Sequence, residues 1–315
     1  MGGEITGVVL VGMGGPRGPA DVEPFLESLL SDPAMLPLPG PVRRTIARLI
    51  ARRRGRRSRE RYALMGGGCP IHEYTGLQVE ALGEALGEGF VVRHAFRYSE
   101  PRAPSVCSEL AGAGVRRIVA LSTYPQRSRA TVDSSIADLE DAARAEGIRV
   151  AAVRSYPDDP GFIRALRERT LEAVGRAGRG AHIVMAAHSL PRLSVLRGDP
   201  YVAEVERTAS ALERVLPGAS WHLAYQSRHG PVGWVGPGLV ETLRRIGSRG
   251  VRSVVVVPIS FTSEHIETLV ELDVEARQVA AGAGIRHFAR VPVPGLHPAF
   301  LGMLARLARE EAERG

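Results

Sequence analysis

The chain has 315 residues, 44% of them apolar, and a formal charge of +7, enough for one large or two ordinary cores. All 41 basic residues are Arg, which excludes Schiff-base lysine chemistry and the Lys of a phosphate-binding Walker loop. Two cysteines, Cys69 and Cys107, fall short of the four thiolates of an iron–sulfur cluster or structural zinc site and give no disulfide scaffold.

The first apolar stretch, residues 5–11, follows Glu4 with no basic segment before it, so no signal peptide is expected. Met1-Gly2 with Thr6 fits a lipidation pattern, but the stretch itself has the character of a buried strand. No run of 18 apolar residues follows anywhere, so no membrane span is expected and the protein is placed in the cytoplasm. Between Arg43 and Arg61 lie ten Arg and one Glu, a local +9 that leaves about −2 for the rest. Basic character therefore belongs to one segment, and nucleic acid is not an expected partner.

Four short apolar runs, at residues 8–11, 118–121, 183–187 and 254–257, each end in small or polar residues. Loops rich in Gly, Pro, Ser or His follow them, and three of the four lead into helical patterns. This alternation predicts parallel sheets covered by helices on both faces. Val8 to Pro16 resembles Ile183 to Pro191 residue by residue, and Gly114-Val115-Arg116 is echoed by Gly250-Val251-Arg252. An internal duplication into two similar doubly wound domains is expected, with Met13 opposite His188 across a common cleft. The boundary is set at the Pro-rich turn 156–160, giving domains 1–160 and 161–315. A last helix, 298–313, is free to pack on either.

His188 follows an expected strand directly, where a neutral imidazole can accept a proton or ligate a divalent metal. Glu264, Glu267, Glu271 and Glu275 recur at helical spacing, with no basic residue before Arg277. Such a row is either a solvated acidic face or a line of hard oxygen ligands for a cation or a proton. His265 lies within it as a further donor. Trp234 stands in the turn-rich segment 225–237, where it either walls a flat aromatic ligand or covers the core. Arg97, Tyr98 and Tyr124 follow other apolar stretches, Arg97 being of the type that clamps an anionic group.

Taken together, Gly12-Met13-Gly14-Gly15-Pro16, Tyr62 with Gly66-Gly67-Gly68-Cys69-Pro70-Ile71, Phe96-Arg97-Tyr98, Tyr124-Pro125-Gln126, Ala187-His188-Ser189-Leu190-Pro191, Gln226-Ser227-Arg228, Gly230-Pro231 to Trp234, and Phe261 to Leu269 resemble the ferrochelatases, in the family's order and over nearly the whole chain. The resemblance implies a class II chelatase fold of two Rossmann-like domains with four-stranded parallel sheets. It implies insertion of Fe2+ into protoporphyrin IX, the terminal step of haem synthesis, with His188 and Glu267 as catalytic residues and metal ligands. Glu264, Glu271 and Glu275 then line a metal or proton path. Met13, Arg53, Arg54, Tyr62, Arg97, Tyr98, Tyr124, Trp234, Phe261 and His265 match positions near the porphyrin, Arg97 as a propionate clamp.

No cofactor is required, since iron is a substrate, and the family's cysteine-rich extension has no counterpart before Gly315, so no cluster is expected. Coproporphyrin-metallating members commonly carry Tyr where Met13 stands, which favours protoporphyrin. The resemblance also assigns segment 35–61 to a lip in peripheral contact with the inner face of the cell membrane, and implies contact with the oxidase preceding it in the pathway. Rival readings are a coproporphyrin III ferrochelatase, a cobalt or nickel chelatase for another tetrapyrrole, and a haem carrier without catalysis.

Overall fold

The computed structural model describes residues 5–178, 180–228, 230 and 232–314. Met1, Gly2 and Glu4, together with His229 and Pro231 of the Trp234 segment, lie outside these residues. Contacts divide the chain into two compact units, 1–155 with 304–315, and 156–303.

In the first unit β1 (Thr6–Gly12), β2 (Phe90–Phe96), β3 (Arg117–Ser122) and β4 (Arg149–Val153) form a parallel sheet in the order β2-β1-β3-β4. Helices α1 (Val22–Leu30), α2 (Gly40–Ala63), α3 (Ile71–Leu86), α4 (Ala103–Gly112) and α5 (Ser134–Ala145) connect and cover it. In the second unit β5 (His182–His188), β6 (Ser220–Gln226), β7 (Ser253–Pro258) and β8 (His287–Arg290) repeat the arrangement as β6-β5-β7-β8. Its helices are α6 (Pro160–Ala177), α7 (Arg192–Leu196), α8 (Tyr201–Val215), α9 (Leu239–Ser248), α10 (Ile266–Leu269) and α11 (Arg277–Gly282). The last helix, α12 (Pro298–Arg314), starts in the second unit and from Leu304 belongs to the first. There Arg309 donates to Ala85 O at 2.6 Å and Arg117 to Glu311 O at 2.8 Å.

The expected α/β class with two parallel four-stranded sheets is thus observed, and the four apolar runs are the inner strands β1, β3, β5 and β7. Inner strands have neighbours on both edges and helices on both faces, so their middles are buried, as at Val8, Val9 and Val254 to Val257, all 0% exposed. In each unit the helices after the second and third strands cover equivalent faces. Val106, Leu110, Ile136 and Leu139 of α4 and α5 close one core, and Leu243 and Ile246 of α9 with Leu272 and Ala280 close the other. Among the described residues no helix is long and apolar enough to cross a membrane.

Candidate active site

At the C-terminal edge of the second sheet, His188 ends β5 in register with Gln226, which ends β6. The third contribution comes from the loop after β7, where Ile259 N donates to Ala186 O at 3.0 Å and the chain then runs through Phe261 and His265 into α10. Strand ends of such sheets are where their ligands bind. His188 Nδ1 lies 2.7 Å from Ser189 O. A carbonyl only accepts, so the contact assigns a proton to Nδ1, and in the neutral ring it is Nε2 that has the lone pair for a proton or metal.

Glu267 is tied to this edge through Gln226, whose Nε2 donates to Glu267 O at 2.8 Å and to Glu271 Oε2 at 3.1 Å. His265 Nε2 stands 3.0 Å from Glu267 Oε2, and its Nδ1 is 3.0 Å from Ser263 O. Both ring nitrogens therefore face acceptors. Phe261, buried, meets the His265 ring edge-on at 4.5 Å. Ser227 donates to Glu271 Oε2 at 2.5 Å from a backbone with φ of 62°. Tyr201, fully buried, reaches Ser260 at 2.9 Å and the backbone of His188, and burial pushes its hydroxyl well above the ordinary 10.

The regular acidic helix expected over residues 264–275 is not formed. Only Ile266–Leu269 is α-helical, and Glu271–Ala276 is a wider π-type turn in which Glu275 N donates to Val270 O at 2.9 Å. Glu264 precedes the helix and pairs with Arg290 of β8 at 2.8 Å, while Arg290 also holds Asp273 at 2.8 Å. Glu264 is thus spatially neutralised by a cation 26 residues away in sequence, where the row had been read as free of basic partners up to Arg277. Glu271 and Glu275 instead line a cavity of about 470 Å³ with Gln226, Ser227 and Trp234. Trp234 is half-buried, and among the described residues its indole N–H has no partner.

In the first unit the equivalent edge carries Met13, directly after β1. Its N–H points at the Tyr124 hydroxyl at 3.3 Å, and its carbonyl accepts from Tyr98 N at 3.1 Å. Gly14, next in line, has φ of +81°, and a Cβ there would sit 2.1 Å from Ser99 Oγ, so the sharp turn after the strand needs glycine. Arg53 and Arg54 are exposed on α2, and Tyr62 is buried near its end. Arg97 does not project freely. Its guanidinium is held by Asp32, at 3.0 Å, and by Asp138, and the Tyr98 hydroxyl donates to Asp32 at 3.0 Å.

The ferrochelatase family model matches residues 5–312. The ferrochelatase of Aquifex aeolicus (strain VF5) is 37% identical over 97% of this chain and 99% of that protein. That of Geotalea daltonii (strain DSM 22248 / JCM 15807 / FRC-32) is 37% identical over 99% of each. This chain belongs to the ferrochelatase family. It is an enzyme, a lyase that inserts metal into porphyrin, as the family's members are. Among solved structures, SirB from Bacillus subtilis with Fe3+ superposes with a TM-score of 0.62 over 98% of this chain and 96% of that chain, at 14% identity. CbiX, the terminal enzyme for siroheme biosynthesis in denitrifying bacteria, gives 0.53 over 98% and 99%, at 12%. At such identities these two establish the fold, a chelatase architecture of two parallel sheets.

Gln226 and Ser227 stand within a family motif that assigns them no role, and Tyr201 and Asp32 stand in none of the motifs. The first two lie at the end of β6, an edge strand with no continuous apolar run to announce it. Asp32 carries no signal either, because its partners come from positions 65 to 102 residues away.

Proposed function

We propose that this ferrochelatase inserts Fe2+ into protoporphyrin IX, with His188 and Glu267 as the residues that handle iron and the pyrrole protons. The observation that carries this is the Gln226 bridge: the residue beside His188 in the sheet holds the backbone of Glu267 and the carboxylate of Glu271, which gathers both groups at one strand edge. Metallation breaks two pyrrole N–H bonds, forms iron–nitrogen bonds and releases two protons. His188 Nε2, unprotonated, accepts one proton or ligates the incoming iron. Glu267, coupled to His265, takes the second, and Glu271 and Glu275 carry protons or hydrated iron between the site and the cavity they line. Glu264, engaged by Arg290, has a more limited part in that path.

The candidates for porphyrin contact in the first unit are Met13, Arg53, Arg54, Tyr62 and Tyr124, and those in the second are Trp234, Phe261 and His265. An apolar Met13 suits the vinyl groups of protoporphyrin, whereas a substrate bearing two further propionates favours a polar residue there. Binding must also strain the ring toward a geometry that exposes nitrogen lone pairs, since binding a flat ring tightly gives no acceleration. No iron–sulfur cluster or other cofactor is invoked, and the product is protohaem. We place the enzyme in the cytoplasm, peripherally at the membrane through 35–61 and near the oxidase that supplies its porphyrin.

Anaerobic mixing of Fe2+ and protoporphyrin IX with the protein should convert the free-base absorption bands to those of haem. His188→Ala and Glu267→Ala should slow this by roughly 100-fold or more, the range of a lost acid–base group. Equal rates in the variants, or faster turnover of coproporphyrin III than of protoporphyrin IX, would refute the residue or the substrate assignment respectively. A haem carrier would bind haem yet give no conversion at all.

A further inference from the structure

Asp32 lies in the turn between α1 and α2, 6% exposed, and accepts hydrogen bonds from two other parts of the first unit. Arg97, following β2, donates to Oδ2 from Nε at 3.1 Å and Nη2 at 3.0 Å. Tyr98 donates its hydroxyl at 3.0 Å, and Ser134, opening α5, donates at 3.0 Å. The other oxygen caps Ala34 N at 2.7 Å. Burial opposes a charge on Asp32, but these donors and the Arg97 cation outweigh it and hold the carboxyl below the ordinary 3.8. Arg97 is fixed from its far side by Asp138.

What this carboxylate restrains is the segment leading into α2. Met35 N and Leu36 N donate to Asp32 O at 3.1 and 3.0 Å, and Arg43 donates to Ser31 O at 2.8 Å and to Leu38 O at 2.6 Å. Residues 32–39 are thus a compact knot, clamped by Arg43 from the helix and secured to the strand ends through Asp32. Five donors thus converge on Asp32, from the segment after β2, from the start of α5 and from its own turn.

We propose that Asp32 is a positioning residue for porphyrin: with Arg97, Tyr98 and Ser134 it latches the base of α2 to the sheet edge that carries Met13. Arg97 and Tyr98 then act through Asp32, and neither is a direct clamp on a propionate. This rests on porphyrin being the substrate and on α2 bordering its site.

The alternatives differ in sign. Asp32→Asn weakens the hold on Arg97. If Arg97 is part of a latch, α2 loosens, and KM for protoporphyrin should rise roughly tenfold or more with kcat within about threefold, because binding geometry is lost while the chemistry at His188 is untouched. If Arg97 is itself the propionate clamp, freeing it from Asp32 lowers KM or leaves it unchanged, which overturns the proposal. Ser134→Ala, which keeps every charge, should raise KM about two- to fivefold, and it decides the matter if Asp32→Asn does not fold. A readout independent of turnover is limited trypsin cleavage after Arg43 and Arg44, which should quicken severalfold in both variants relative to wild type. Unchanged cleavage and unchanged KM together refute the latch. Should wild type fail to metallate porphyrin, the functional reading fails first, and the cleavage rates alone then decide whether the latch exists.

Discussion

His94 sits on β2 with its ring 4.9 Å from that of Phe96, and His72 meets the same Phe at 5.1 Å while lying 2.7 Å from Gly15 O. Burial first, then the charges of His72 and Arg17, push the His94 imidazole down to about 4. His72 is shifted in the same direction, also mainly by burial. A group depressed in the folded state is neutral there while the unfolded chain takes up its proton, so its contribution to stability is complete above the ordinary 6.5 and declines as pH falls toward about 4. Wild type should lose about 1 kcal/mol from His94 between pH 7 and pH 5, an allowance being made for partial solvent contact. His94→Phe should abolish that part of the loss, as read by urea unfolding at the two pH values. An equal loss in the variant would show that the proton is taken up elsewhere. At this scale the sequence displayed the functional side chains but not their partners. His188 and Glu267 stand out by residue type and position, whereas the Arg290 that occupies Glu264 and the Asp32 that occupies Arg97 arrive from 26 and 65 residues away.

Elements were legible in proportion to their burial. β1, β3, β5 and β7 are apolar through their middles because both faces there are covered, and those runs are legible directly. The edge strands β2, β4, β6 and β8 are half-buried over much of their length, and only traces of them, such as Val91-Val92 and Phe96, are recognisable. A π-type turn has no periodicity signal of its own, so the segment after α10 was read as a regular helix. A second feature invisible to periodicity is close helix approach. Gly247, near the end of α9, would place a Cβ 2.4 Å from Ala283 O just beyond α11. Helix propensity alone predicts that Gly247→Ala stabilises by up to about 1 kcal/mol. The backbone oxygen cannot yield as a flexible side chain would, so overpacking prevails, and a net destabilisation of about 1–2 kcal/mol is expected. Thermal or urea unfolding measures it; an unchanged or raised midpoint would show that α9 can shift without penalty.

At the scale of the whole molecule, one fold motif occurs twice, and the internal repeat visible around Met13 and His188 corresponds to equivalent ends of β1 and β5. Duplication explains why the strand order matches in both sheets, but not why one unit alone carries a strongly basic helix. Its buried line, Ala47, Ala51, Gly55 and Tyr62, packs inward, while Val42 and Leu49, 49% and 61% exposed, recur with Arg53 and Arg57 on the opposite side. Arg48, Arg52, Arg56 and Arg59 are paired with Glu27, Glu23 or Glu60, and among the described residues Arg44, Arg53, Arg54 and Arg57 have no ion pair. Exposed apolar groups interleaved with unneutralised cations suit an anionic lipid surface, at about 1 kcal/mol for each basic residue brought near it. The protein should therefore float with vesicles containing anionic phospholipid at low ionic strength and dissociate in high salt, as the screening length shortens. Replacing Arg53 and Arg57 together by Gln should weaken partitioning by about 2 kcal/mol, roughly 30-fold. Binding to neutral vesicles that is as strong, or insensitivity to salt, would leave the basic face of α2 as a solvated surface and remove the membrane from its function.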